Sequence, residues 1–158
     1  MNLIVSCKYD HRKIDGLMTG LIEYCRKVED KYPQAAIDQA RERLGTIESQ
    51  LFAHFKKEEQ FLFPELANIG VSVEFGPIGV ALREHRLIKS FLRTLDGLMT
   101  ELEQGRQSSP AYLINQTVAL TKFLEHHWQK EETALFEIAL MHIPNDRLHR
   151  LELLRNFE

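Results

Sequence analysis

Cysteine is scarce: Cys7 and Cys25 are the only two in 158 residues. That excludes a disulfide framework, and a chain of this length buries a core without one. Both cysteines read as reduced thiols of a cytoplasmic protein. Positive charge is also in short supply. Twenty Lys and Arg stand against 23 Asp and Glu, a formal charge of −3, so there is no field to draw in nucleic acid or an anionic bilayer. Uninterrupted apolar runs stop at about five residues, as in Ile78-Gly79-Val80-Ala81-Leu82, where a spanning helix needs roughly 20. The opening Met1-Asn2-Leu3-Ile4-Val5-Ser6-Cys7 lacks the basic and long apolar regions of a signal peptide. Nothing reads as a strand beyond a short extended Leu3-Ile4-Val5. One globular domain over residues 1–158 is the expectation.

What the chain has is helical periodicity. From Asp10, an N-cap residue, Ile14, Leu17, Met18, Leu21, Cys25 and Val28 recur at three and four, predicting a first helix that ends before Pro33 and carries His11 in its first turn. A second helix is predicted from about 34 to 67, with His54 and Glu58 on the same face as Leu44, Ile47 and Leu51. Asn68 to Pro77 reads as the longest loop. The third helix is expected over about 78–104, with His85 beside Leu82 and Ile88; Gly105 closes it, and Gln107-Ser108-Ser109-Pro110 turns the chain. A fourth runs from about 109 to 142, with His127 and Glu131 inward, and Pro144 stops it. Asn145 opens a short last helix to Asn156. The class is all-α: an antiparallel up-down-up-down four-helix bundle over about 10–143, plus a C-terminal helix over about 145–156.

Inside those apolar stripes lies a polar repeat. His54-Phe55-Lys56-Lys57-Glu58-Glu59-Gln60-Phe61-Leu62-Phe63 recurs as His127-Trp128-Gln129-Lys130-Glu131-Glu132-Thr133-Ala134-Leu135-Phe136, both His-x-x-x-Glu-Glu-x-x-Leu-Phe. Four residues advance a helix by about 400°, so each His and the first Glu share a face. Glu58 and Glu131 occupy positions where Leu or Ile belongs, at a cost of several kcal/mol unless a cation pairs with them. In an up-down bundle the second and fourth helices are diagonal, so the motifs face each other, and His11 and His85 complete the set. Four His and two Glu are too many donors for one ion and suit two. With Glu58 and Glu131 bridging, His11 with His54 and His85 with His127 give each metal two nitrogens and two carboxylate oxygens. An oxide or hydroxide bridge makes five. His and carboxylate without thiolate fits iron or manganese best, then zinc.

These residues resemble the hemerythrin-like HHE cation-binding domains, non-haem di-iron four-helix bundles. The likeness covers about residues 9–143 and runs through Asp10-His11, His54-x-x-x-Glu58-Glu59-x-x-Leu62-Phe63-Pro64, Glu84-His85 and His127-x-x-x-Glu131-Glu132. It implies two iron ions, oxo- or hydroxo-bridged, and a small ligand such as O2, peroxide or nitric oxide. The alternative it leaves is iron handling or sensing, in which a protein partner reads the metal-dependent fold; a bundle that only mediates association leaves two buried Glu unexplained. A ferritin-like site expects Glu-x-x-His, and no His here has Glu three residues before it. Iron-centre repair members carry an additional N-terminal Cys-containing segment that this chain does not show.

The oxygen carriers of the family place another His four residues after the third-helix His, where this chain has Lys89. Both metals are then expected to keep an open position, with nothing in the sequence to restrict a ligand to one of them. The carriers also space the last His and carboxylate by five, which His126 would satisfy; the internal repeat selects His127. His126, His142 and His149 read as solvated or outer groups, and Glu59 and Glu132 as exposed or just outside the ligands. Phe52, Phe55, Phe61, Phe63, Phe123, Trp128 and Phe136 read as bundle core, with Cys7 and Cys25 as small buried hydrophobes.

Overall fold

The computed structural model describes residues 1–28, 33–106 and 109–154. Helix α1 spans Leu3–Lys27, α2 Gln34–Lys57, α3 Phe63–Asn68, α4 Pro77–Glu103, α5 Pro110–Lys130, α6 Phe136–His142 and α7 Asn145–Leu154. Two π-helical turns, Glu58–Leu62 and Glu131–Leu135, join α2 to α3 and α5 to α6 into continuous rods. Helix α1 packs on α2 and α5, and so does α4. Thus α2 and α5 are diagonal, as an up-down-up-down bundle requires. No helix among the described residues is long and apolar enough to cross a membrane. The turn expected at Gln107-Ser108 and the end of the last helix at Asn156 lie outside the described residues.

The first helix begins well before Asp10, and Leu3-Ile4-Val5 is helical rather than extended. The Asn2 side chain accepts a hydrogen bond from the Val5 amide at 3.0 Å, a true N-cap. Leu3, Ile4 and Cys7 then carry the buried stripe back from His11. Their burial against α6 and α7 outweighs the β preference of Ile and Val. Ser109 caps α5 through the Tyr112 amide, and Pro77 and Pro110 open α4 and α5, where a missing N–H costs nothing. Gly70, in the left-handed region, ends the second rod while the Val71 amide donates to the Leu66 carbonyl.

The π turns answer a conflict of period. Inward positions in the second rod are His54, Glu58, Leu62 and Leu66, and in the last rod His127, Glu131, Leu135 and Ala139, all at most 1% exposed. Steps of four outrun a helix of about 3.6 residues per turn by roughly 40° each. One wide turn in each rod absorbs that drift: the Phe63 amide donates to the Glu58 carbonyl and the Phe136 amide to the Glu131 carbonyl, five residues back.

Two apolar layers fill the bundle. One is built around Ile14, Ile47, Leu51, Ile88, Leu95 and Leu124. The other joins Leu3, Leu62, Ile78 and Phe136 to Leu148 and Leu151 of α7. Residues 11, 54, 58, 85, 127 and 131 lie between the layers. Phe52 departs from the expected core: it is 41% exposed, and the Lys89 ammonium lies 5.6 Å from its ring centroid. Position 52 falls outside the inward stripe that runs through Leu51 and Phe55.

Gly79 marks where the loop before α4 presses on the helix, because a Cβ there would overlap the Glu74 carbonyl. Gly79→Ala should therefore destabilise by about 1–3 kcal/mol. Gly97→Ala, in open space on the exposed side of the same helix, should stabilise by up to about 1 kcal/mol. Denaturant melts of the two variants read the opposite signs.

Candidate metal centre

Each helix of the bundle delivers donors to one level. His11 comes from α1, His54 from the last turn of α2, His85 from α4 and His127 from the last turn of α5, while Glu58 and Glu131 open the two π turns. All six are at most 2% exposed. The Nε2 atoms of His11 and His54 face each other at 3.1 Å. Glu58 reaches both imidazole pairs, with Oε1 at 3.5 Å from His54 Nε2 and Oε2 at 3.3 Å from His85 Nε2. Glu131 does the same from the opposite side: Oε2 is 3.3 Å from His11 Nε2, and Oε1 is 3.0 Å from His127 Nε2. Each carboxylate thus turns one oxygen to each half of the site.

Donor atoms of His11, His54, Glu58 and Glu131 lie within 4.8 Å of one another, and those of His85, His127 and Glu131 form a second such group. Both oxygens of Glu58 and of Glu131, with Nε2 of His85 and His127, are buried without a hydrogen-bond partner. Polar atoms so placed are costly unless a cation meets them. Two adjacent groups of nitrogen and carboxylate oxygen, with no thiolate, suit first-row divalent or trivalent metals.

Behind the donors stands a ring of carboxylates. The outward Nδ1 of His11 meets Glu132 Oε1 at 2.7 Å, that of His85 meets Glu59 Oε1 at 2.7 Å, and that of His127 meets Glu84 Oε2 at 2.9 Å. Asp10 Oδ2 lies 3.3 Å from His54 Nδ1. An Nδ1–H given to a carboxylate leaves the Nε2 lone pair pointing inward and strengthens it as a donor. Lysines hold two members of the ring: Lys57 Nζ lies 2.5 Å from Asp10 and 2.6 Å from Ser6 Oγ, and Lys130 is ion-paired with Glu84. Sequence reasoning left Glu59 and Glu132 undecided and missed Asp10, Glu84, Lys57 and Lys130 as partners. The signal was there, since Asp10-His11 parallels Glu84-His85 and both motifs read His-x-x-Lys-Glu-Glu.

Rings shape the remaining walls. Trp128 stacks on His11 at 4.1 Å between centroids and gives its indole N–H to Asp15 at 2.9 Å. Phe55 stacks on His85 at 3.9 Å. Lys89 is not a donor to the cluster, for its ammonium lies over the Phe52 and Phe55 rings. His126 is exposed, with Nδ1 2.7 Å from the Lys122 carbonyl, and His142 and His149 are exposed. Of the neighbours His126 and His127 it is His127 that turns inward, 1% exposed.

Without metal, protons fill the charge gap. Burial opposes a charged His85, yet the carboxylates of Glu131, Glu58 and Glu59 that face its ring nitrogens outweigh it and raise its pKa to about 11. The same balance raises His11, through Glu131, and His127, also through Glu131. Burial would push Glu131 up, but the three imidazoles around it hold it well below the usual carboxylate range. His85, with its pKa so raised, is protonated at neutral pH and must lose that proton to ligate. Metal uptake should release protons, and apparent affinity should rise as pH is raised through neutrality. Trp128, the single tryptophan, reports loading through its contact with His11: its fluorescence should fall on titration with Fe(II). Removing an outer carboxylate, as in Glu132→Ala or Glu59→Ala, should move that titration to about 10–100-fold weaker affinity.

Over residues 2–139 the sequence matches the family described as hemerythrin HHE cation binding domain. No curated protein and no solved structure matches the chain. The match runs from the start of α1 into α6, and the helices it spans bring buried His and Glu into two adjacent metal-competent groups. The chain belongs to the hemerythrin HHE cation-binding domain family.

Proposed function

We propose that the chain holds a pair of iron ions and exposes them to a small ligand such as O2, peroxide or nitric oxide. The observation that carries this reading is the pair of buried carboxylates whose oxygens divide between two imidazole pairs and have no hydrogen-bond partner. On this reading His11 and His54 hold one ion, His85 and His127 the other, and Glu58 and Glu131 serve both. Bound iron would supply redox chemistry and open positions for the ligand. The chain's own residues do the rest. Glu132, Asp10, Glu59 and Glu84 orient the four imidazoles, while Phe55, Trp128 and Phe136 keep bulk water from their faces. The reading takes residues 1–158 as one unit, with α7 tied to the bundle through Leu148, Leu151 and the Arg147–Glu65 ion pair.

Elemental analysis of iron-replete protein should find two ions per chain; one or fewer overturns the paired site. Glu58→Ala and Glu131→Ala should each lose both metals together, and loss of one alone would mean two independent sites. Ferric protein should show near-ultraviolet charge-transfer absorption, which zinc does not give. Chelated protein should melt lower than loaded protein by roughly 3 kcal/mol in stability when free metal was about a hundredfold above its Kd. Reduced, loaded protein should take up nitric oxide in stopped flow.

A further inference from the structure

The two halves of the site are related by the internal repeat, and they are not equally closed. Lys57 and Lys130 are equivalent positions, yet Lys57 is 1% exposed and Lys130 is 55% exposed. In the first half Leu3 and Cys7 are buried, and Phe61 packs against the same apolar layer. Their counterparts in the second half are Pro77, Ala81 and Ala134. Ala134 in place of Phe61 removes a whole ring, and Ala81 in place of Cys7 removes a sulfur. A cavity of about 260 Å³ occupies the space between α4 and the second π turn.

The walls of this cavity are mainly apolar, from Pro77, Val80, Ala81, Ala134 and Leu135, and its polar lining includes His127 and Glu131. Lys130 and Glu84 also line it, and their ion pair cancels the charge each would bring. Along its apolar stretch such a wall favours an uncharged molecule of two or three heavy atoms over an ion, since Pro77, Val80, Ala81, Ala134 and Leu135 offer no side-chain polar atom to replace an ion's hydration.

We propose that this cavity is the vestibule through which an uncharged small molecule reaches the site, and that it delivers the molecule to the His85/His127 half. The proposal rests on the small-ligand reading above and adds a route and a side. It also replaces the expectation that nothing restricts a ligand to one metal: the repeat is broken at Phe61 and Ala134, so only the second half has lost the ring that would close it.

Two measurements test it. Crystals of the protein pressurised with xenon should show the gas in the cavity beside Ala134, whether or not metal is loaded; no xenon there overturns the vestibule. Ala134→Phe restores the residue of the first half and should slow nitric oxide uptake by reduced, iron-loaded protein at least tenfold, with metal content and Trp128 fluorescence unchanged. Ala134→Val carries the comparison with a smaller, same-direction slowing if the Phe variant does not fold. An undiminished rate in a folded, loaded variant overturns the vestibule and leaves the di-iron reading intact. Loaded wild-type protein that takes up no nitric oxide overturns both, even with xenon bound. The reciprocal Phe61→Ala should create a second xenon site in the first half; its absence would remove the account of the asymmetry.

Discussion

Two carboxylates in the middle of an apolar bundle set the terms for everything around them. Glu58 and Glu131 are at most 1% exposed, and desolvating them is affordable only against positive charge. Four imidazoles converge on them from four helices, and the orphaned oxygens leave room for metal charge as well. The bundle exists to hold this layer. Apolar side chains above and below it fix the helices at the spacing that lets one carboxylate touch imidazoles of both halves.

The polar layer reaches the surface in graded steps. Inner carboxylates face the imidazole Nε2 atoms, outer carboxylates take the Nδ1 side, and Lys57 and Lys130 balance two of those. The partnership is crossed: Glu132 of the last rod serves His11, and Glu59 of the second rod serves His85. Asp10 and Glu84 instead serve histidines of their own half. Each half of the repeat therefore completes the other, which makes the order of the site a property of the whole bundle and couples donor orientation to helix packing.

The repeat also shows how such a bundle acquires a direction. Identical donors in both halves would treat two metals alike. Where the first half has Phe61 the second has Ala134, and a cavity lies beside it while the histidines and glutamates of the two halves match. On the proposal above, packing around the site would set the side of approach while the set of inward histidines and glutamates stays the same.

The sequence alone was enough for the helical class, the rods and the inward placement of four histidines and two glutamates, because apolar period and a doubled motif are local properties of the chain. It was also enough to prefer His127 over His126, since the repeat carries its own register. It fell short at Leu3-Ile4-Val5, where burial against α6 and α7 decided for helix, and at Phe52, placed by its angle round the rod. The π turns were latent in the steps of four, but only the backbone bonds of Phe63 and Phe136 reveal them. Tertiary structure alone decided which outer carboxylate meets which imidazole and which half is open. The first depends on pairs 26 to 121 positions apart, the second on how α4 and the second π turn pack around the space beside Ala134, and no local pattern encodes either.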